Sequence, residues 1–168
     1  PMSLTRSNKI EFMTVSFMEN RSKQVRLESL KTTFDMHKRK GFKIRTLKAD
    51  GEFQDLETES VKPEADVDVN TAARKEHVGE TERPIGTMKE QVRATNSGLP
   101  CKKKPKKMER ATVKHTVKRV NSFPVKGGTS KTLSPRKITT GKDVRFSKDC
   151  QLEVGSCAQA HHHPDPTN

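Results

Sequence analysis

Thirty-two Leu, Ile, Val and Phe side chains must supply most of any core that this 168-residue chain builds. That is about 19% of the residues, at the edge of the roughly 20% below which a chain reads as disordered. Trp and Tyr are absent, so seven Phe are the large aromatic anchors. With 33% of residues charged, buried apolar area barely offsets the entropy lost on ordering. Packing is therefore expected over only part of the chain, with a partly disordered remainder.

The net charge of +13 is unevenly spread. Residues 1–100 carry only +2, residues 101–148 carry +14, and residues 149–168 carry −3. So dense a basic block implies affinity for a polyanion, with nucleic acid, DNA or RNA, the first candidate. The plainer reading is a solvated surface. Cys101, Cys150 and Cys157 are odd in number and show no pairing spacing, so a reduced intracellular chain is expected. No apolar run approaches the roughly 18 residues of a membrane span, and the N-terminus does not read as a signal peptide. Neither end carries a clean boundary signal, which suits a fragment of something longer.

Alternation of Ile10, Phe12 and Thr14 predicts a strand over residues 8–18, half of a hairpin. Leu27, Leu30 and Phe34 recur at helical spacing and predict a helix from Val25 to Lys40, closed by Gly41. Phe42, Ile44 and Thr46 predict a strand over residues 42–49, ended by Asp50-Gly51. Residues 50–82 carry a net −8 and read mostly as loop, with a short strand at 67–70. A helix is predicted from about Thr81 to Ala94, with Pro84 tolerated in its first turn. Val113, Val117 and Val120 mark a second, narrow-striped helix from Pro105 to Asn121. Residues 125–145 read as a Gly-, Ser- and Lys-rich loop and residues 150–160 as one strand. Residues 1–124 are read as the domain. Residues 125–168 are read as a basic loop and tail, the start of a following small β domain in the longer reading.

Two carboxylates stand out. Asp50 ends a predicted strand and Glu82 opens a predicted helix. Rigidly mounted carboxylates that hold Mg²⁺ or Mn²⁺ are what two-metal phosphoryl transfer requires. By themselves, however, an Asp-Gly after a strand is an ordinary turn, and a Glu in a first helical turn complements the helix dipole.

The order of short motifs along the chain resembles the integrase core of copia-type retroelements. The resemblance runs through Asn8-Lys9-Ile10, Lys40-Gly41-Phe42-Lys43, Ala49-Asp50-Gly51-Glu52-Phe53 and Glu76-His77-Val78-Gly79-Glu80-Thr81-Glu82-Arg83. It continues through Met88-Lys89-Glu90, Arg93-Ala94, Leu99-Pro100, Asn121-Ser122-Phe123-Pro124, Lys126-Gly127-Gly128, Ser130-Lys131-Thr132-Leu133-Ser134-Pro135-Arg136 and Gly141.

That resemblance implies an RNase H-like mixed sheet flanked by helices and an Asp, Asp, Glu metal triad. It also implies Mg²⁺- or Mn²⁺-dependent joining of element DNA to host DNA by a multimer. Asp50 matches the second Asp, and Glu82 the Glu, with Glu80 and Glu76 as alternatives. The first Asp falls at Ser3, a neutral and weaker donor for a hard cation. Relatives carry an Arg where Gly86 stands, and apolar or aromatic residues where Lys104, Lys107 and Arg119 stand. A degenerate copy with little or no strand transfer is expected.

The basic candidates are Lys102, Lys103, Lys104, Lys106, Lys107, Arg110, Lys114 and Lys118. They would contact phosphates and so bind without sequence preference. The run Cys101–Lys107 also resembles a nuclear import signal, against the plainer reading of a solvated helix entry. His161-His162-His163 reads as tail, and the Cys150/Cys157 spacing does not suit a zinc knuckle. Ser134-Pro135 reads as a turn or as a proline-directed phosphorylation site.

Overall fold

The computed structural model describes residues 1–56, 67–71, 79–99 and 103–156. Its elements run β1 (Met2–Arg6), β2 (Met13–Phe17), α1 (Lys23–Arg39), β3 (Thr46–Ala49), a 3-10 helix (Gly51–Leu56), β4 (Asp68–Thr71), α2 (Gly79–Ser97), α3 (Lys106–Val120), α4 (Pro135–Thr140) and α5 (Phe146–Asp149). The fold is mixed α/β. Strands β1 and β2 pair antiparallel, from Met2 opposite Phe17 to Arg6 opposite Met13. Strands β3 and β4 pair parallel, from Thr46 opposite Asp68 to Ala49 opposite Thr71. Among the described residues these remain two separate two-stranded sheets.

The predicted strand over residues 8–18 is shorter at its start. Residues 8–10 form the turn of the hairpin instead. Ser7 organises it: its hydroxyl accepts from the Phe12 N–H at 3.1 Å, and its carbonyl from the Glu11 N–H at 2.9 Å. Glu11 takes a positive φ of 65° and is ion-paired with Arg6. Periodicity across this segment could not reveal a turn held by side-chain and main-chain bonds of its own.

Helix α1 ends where Gly41 predicts. The Gly41 N–H donates to the Lys38 carbonyl at 2.9 Å, and the Phe42 N–H to the His37 carbonyl at 3.0 Å, with Gly41 at φ 80°. This is the Schellman arrangement, in which two otherwise orphaned helix carbonyls are satisfied. It also corrects the predicted strand over residues 42–49. Phe42 closes the helix, so pairing begins only at Thr46.

Helix α2 begins at Gly79, two residues before Thr81, so Pro84 lies inside it rather than in its first turn. Proline has no N–H to give the carbonyl four residues back, which weakens this end of the helix. Helix α3 matches the predicted Pro105–Asn121 span. Within the predicted loop over residues 125–145 the chain makes α4. Ser134 caps it, its hydroxyl accepting from the Lys137 N–H at 3.2 Å; Pro135 sits in the first turn and Gly141 takes φ 71° at the end. Residues 150–156 form turns rather than the predicted strand, and the rest of that span lies outside the described residues.

Two small cores hold these elements. Leu30, Leu56 and Val67 form the first, ringed by Leu27, Phe34, Ile44, Leu47, Phe53 and Val69. Met13, Met88 and Val117 form the second, with Leu4, Val15, Val92, Val113 and Val120 against them. The first joins α1 to the parallel pair, and the second joins the hairpin to α2 and α3. No helix among the described residues is long and apolar enough to cross a membrane.

Candidate nucleic-acid interface and carboxylate positions

Helix α3 has one apolar face and one cationic face. Thr112, Thr116 and Val117 are buried. The two threonines tolerate burial because their hydroxyls donate backwards, to the Met108 carbonyl at 3.0 Å and the Thr112 carbonyl at 2.9 Å. On the opposite side Lys107, Ala111, Lys114 and Lys118 recur at i, i+4, i+7 and i+11, which makes one solvent-facing stripe. At 1.5 Å per residue, its three ammonium groups span roughly 16 Å of helix.

Phe17, at the end of β2, supports one edge of this stripe. The Arg110 guanidinium lies 5.4 Å from its ring centre and the Lys114 ammonium 5.8 Å. Such cation–π contacts orient the side chains without neutralising them. The sequence gives no direct sign of this, because β2 and α3 are far apart along the chain.

The other basic candidates differ among themselves. Lys103, Lys106 and Lys107 are exposed. Lys104 is half-buried, and its ammonium donates to the Asn96 carbonyl at 2.6 Å, near the end of α2. Lys118 lies 3.7 Å from Asp149, which also meets Arg136 at 3.6 Å. The Arg145 N–H, with Lys118 and Arg136 close by, holds the Asp149 carboxyl below its ordinary range despite partial desolvation. Asp149 therefore partly offsets the charge of Lys118. Lys102 lies outside the described residues.

A second feature borders α3. Arg119, Phe123, Pro124 and Lys126 line a cleft of about 400 Å³ that Gln91 of α2 completes. By itself, Arg119 is only one more cation on a basic helix. The signal that was available is an aromatic residue just past a helix end, with cations four residues before and three after it.

The carboxylate positions are differently placed. Asp50 is exposed; its Oδ1 accepts from the Gly51 N–H at 2.7 Å, and its main-chain oxygen from the Phe53 N–H at 2.8 Å. It starts the 3-10 helix, as an Asp-Gly turn would. Glu82 is exposed near the start of α2. The Glu80 side chain and all of Glu76 lie outside the description. Ser3 is buried on β1, opposite Ser16. It thus sits on the antiparallel sheet, whereas Asp50 follows the parallel one. Among the described residues, no group of three or more His, Cys, Asp and Glu side chains could hold a metal ion. Asp50 and Glu82 are exposed, and Ser3 offers a neutral, buried hydroxyl, a weaker donor for a hard cation than a carboxylate.

Cys150 is exposed and unpaired, while Cys101, Cys157 and His161-His162-His163 lie outside the described residues. Ser134 is buried at 8% exposure and its hydroxyl caps α4, which fits the turn reading of Ser134-Pro135. No protein-family model matches this chain, and no curated protein matches it significantly.

Proposed function

We propose that this chain is an integrase-like domain, of RNase H-like ancestry, that keeps polyanion binding and has lost strand transfer. DNA is the expected partner, and RNA would be held through the same phosphates. The observation that carries the reading is the cationic stripe of α3, set opposite a buried Thr112, Thr116 and Val117 face. A helix packed on one side and basic on the other offers its charges in a fixed array. The ancestry rests on the ordered motifs alone. The loss of strand transfer rests on Ser3 standing where the triad needs a carboxylate.

Binding should be electrostatic and tested by salt. With about four phosphate contacts, log affinity should fall with log salt at a slope of about −3.5, or roughly a hundredfold between 50 and 200 mM. Fluorescence anisotropy with a labelled duplex measures this. Converting Lys106, Lys107, Arg110 and Lys114 together to Ala should make the slope markedly shallower. Asp50→Asn should leave binding unchanged. A native chain insensitive to salt, or a variant that binds as the native chain does, would refute the proposal. Mg²⁺-dependent joining of a labelled donor end by the native chain would refute the loss of strand transfer.

A further inference from the structure

We infer that the cleft beside α3 takes a single unpaired nucleotide, its base stacked on Phe123 and its flanking phosphates met by Arg119 and Lys126. The inference rests on the proposed nucleic-acid binding and adds to it a subsite that recognises strand state rather than charge alone.

Phe123 is 52% exposed, and among the described Phe residues only Phe146, at 66%, is more so. It cannot readily fold away. Two residues before it, Asn121 is buried and bonded through its amide to both main-chain groups of Met13, at 2.8 and 2.7 Å. The Ser122 N–H is tied to the Arg119 carbonyl at 3.0 Å, and Pro124 restricts the backbone on the other side. The ring is therefore exposed on a fixed mount. That is the requirement for stacking, because little side-chain or loop freedom remains to be lost on binding.

Charge and size select the occupant. Arg119 and Lys126 both line the cleft, and neither has an ion-pair partner among the described residues. Lys137 and Arg136, by contrast, face Asp143 and Asp149. A cleft with an aromatic wall and two unneutralised cations favours a flat ring that carries anions. Its volume of about 400 Å³ is near the lower end for ligand pockets and suits one base rather than several. Gln91 adds an amide that can both donate to and accept from a base edge. A duplex exposes no unstacked base, so only a bulge, an overhang or a single strand could fill the cleft.

The test separates stacking from phosphate contact. Two labelled duplexes carry a three-nucleotide overhang of identical backbone, one with thymine bases and one abasic. At about 100 mM salt the base-bearing probe should bind the native chain about tenfold more tightly, as expected for one stacked base. Phe123→Ala should abolish that difference while leaving the abasic probe's affinity unchanged, and Phe123→Tyr should preserve it. Equal affinity of the native chain for the two probes would overturn the inference and leave phosphate binding intact. So would a Phe123→Ala variant that keeps the preference. Failure of the native chain to bind either probe at 20 mM salt would overturn the nucleic-acid reading and the inference together.

Discussion

Asn121 substitutes for a strand. Its side-chain amide accepts from the Met13 N–H and donates to the Met13 carbonyl, as a neighbouring peptide would on the outer edge of β2. Both bonds are buried, so removing the amide leaves two main-chain groups without partners. Each such loss amounts to about 1–3 kcal/mol. Asn121→Ala should therefore lower the melting temperature by about 10 °C, read by circular dichroism. Asn121→Asp should also destabilise, because a carboxylate oxygen would face the Met13 carbonyl. A melting temperature within 1 °C of the native value for the Ala variant would remove Asn121 from this role. Local pattern marks Asn121 only as a helix end. Its partner lies 108 residues away, and no local pattern encodes such a contact. The charged residues at positions expected to be core were more legible. Lys107 and Arg119 are on the surface, and Lys104 reaches a carbonyl. The high energy of a buried, unpaired charge requires one of those two outcomes.

Among the elements, those closed by their own residues were read most accurately. Helix α1 carries its stop signal in Gly41, and α3 is bounded by Pro105 and Asn121. The hairpin turn, the late start of β3 and the short α4 depart from what hydrophobic period alone predicts. In each, capping and turn bonds outweighed hydrophobic period: Ser7 in the turn, Phe42 at the helix end, Ser134 at the cap. Helix α2 carries two breakers, Pro84 and Gly86, three and five residues after Thr81. Gly86 has no structural need to be glycine. It has no positive φ, and a Cβ built there meets nothing within 4 Å. Ala in place of Gly in a helix interior stabilises by up to about 1 kcal/mol, largely by restricting the unfolded chain. Gly86→Ala should raise the melting temperature by about 2–4 °C. A fall instead would show that this stretch of α2 is not helical in solution.

For the molecule as a whole, the shortage of apolar residues is answered by dividing the core in two. One core lies around α1 and the parallel strands, and the other around α2, α3 and the hairpin. The sequence made the shortage plain, but not the division, which depends on which strands pair. An aromatic seam runs between these groups: the His37 ring of α1 meets Phe12, just before β2, and Phe42, each edge-on at 6.2 Å. His37 is buried among them, and desolvation pushes its pKa below the ordinary 6.5. The sign of the consequence follows. Above pH 6.5 the ring is neutral in folded and unfolded chains alike, and the seam contributes fully. As the pH falls below 6.5, the unfolded chain takes up the proton first, and stability is lost until the lower, folded pKa is passed. His115 shifts the same way, through desolvation and then through Arg119 and Lys118, so the slope has two contributors. The expected result is a lower urea midpoint at pH 5 than at pH 7, with that difference reduced in His37→Gln and reduced further when His115→Gln is added. A native midpoint independent of pH over this range, or a His37→Gln variant with the native slope, would mean that the seam between the two cores is open to water.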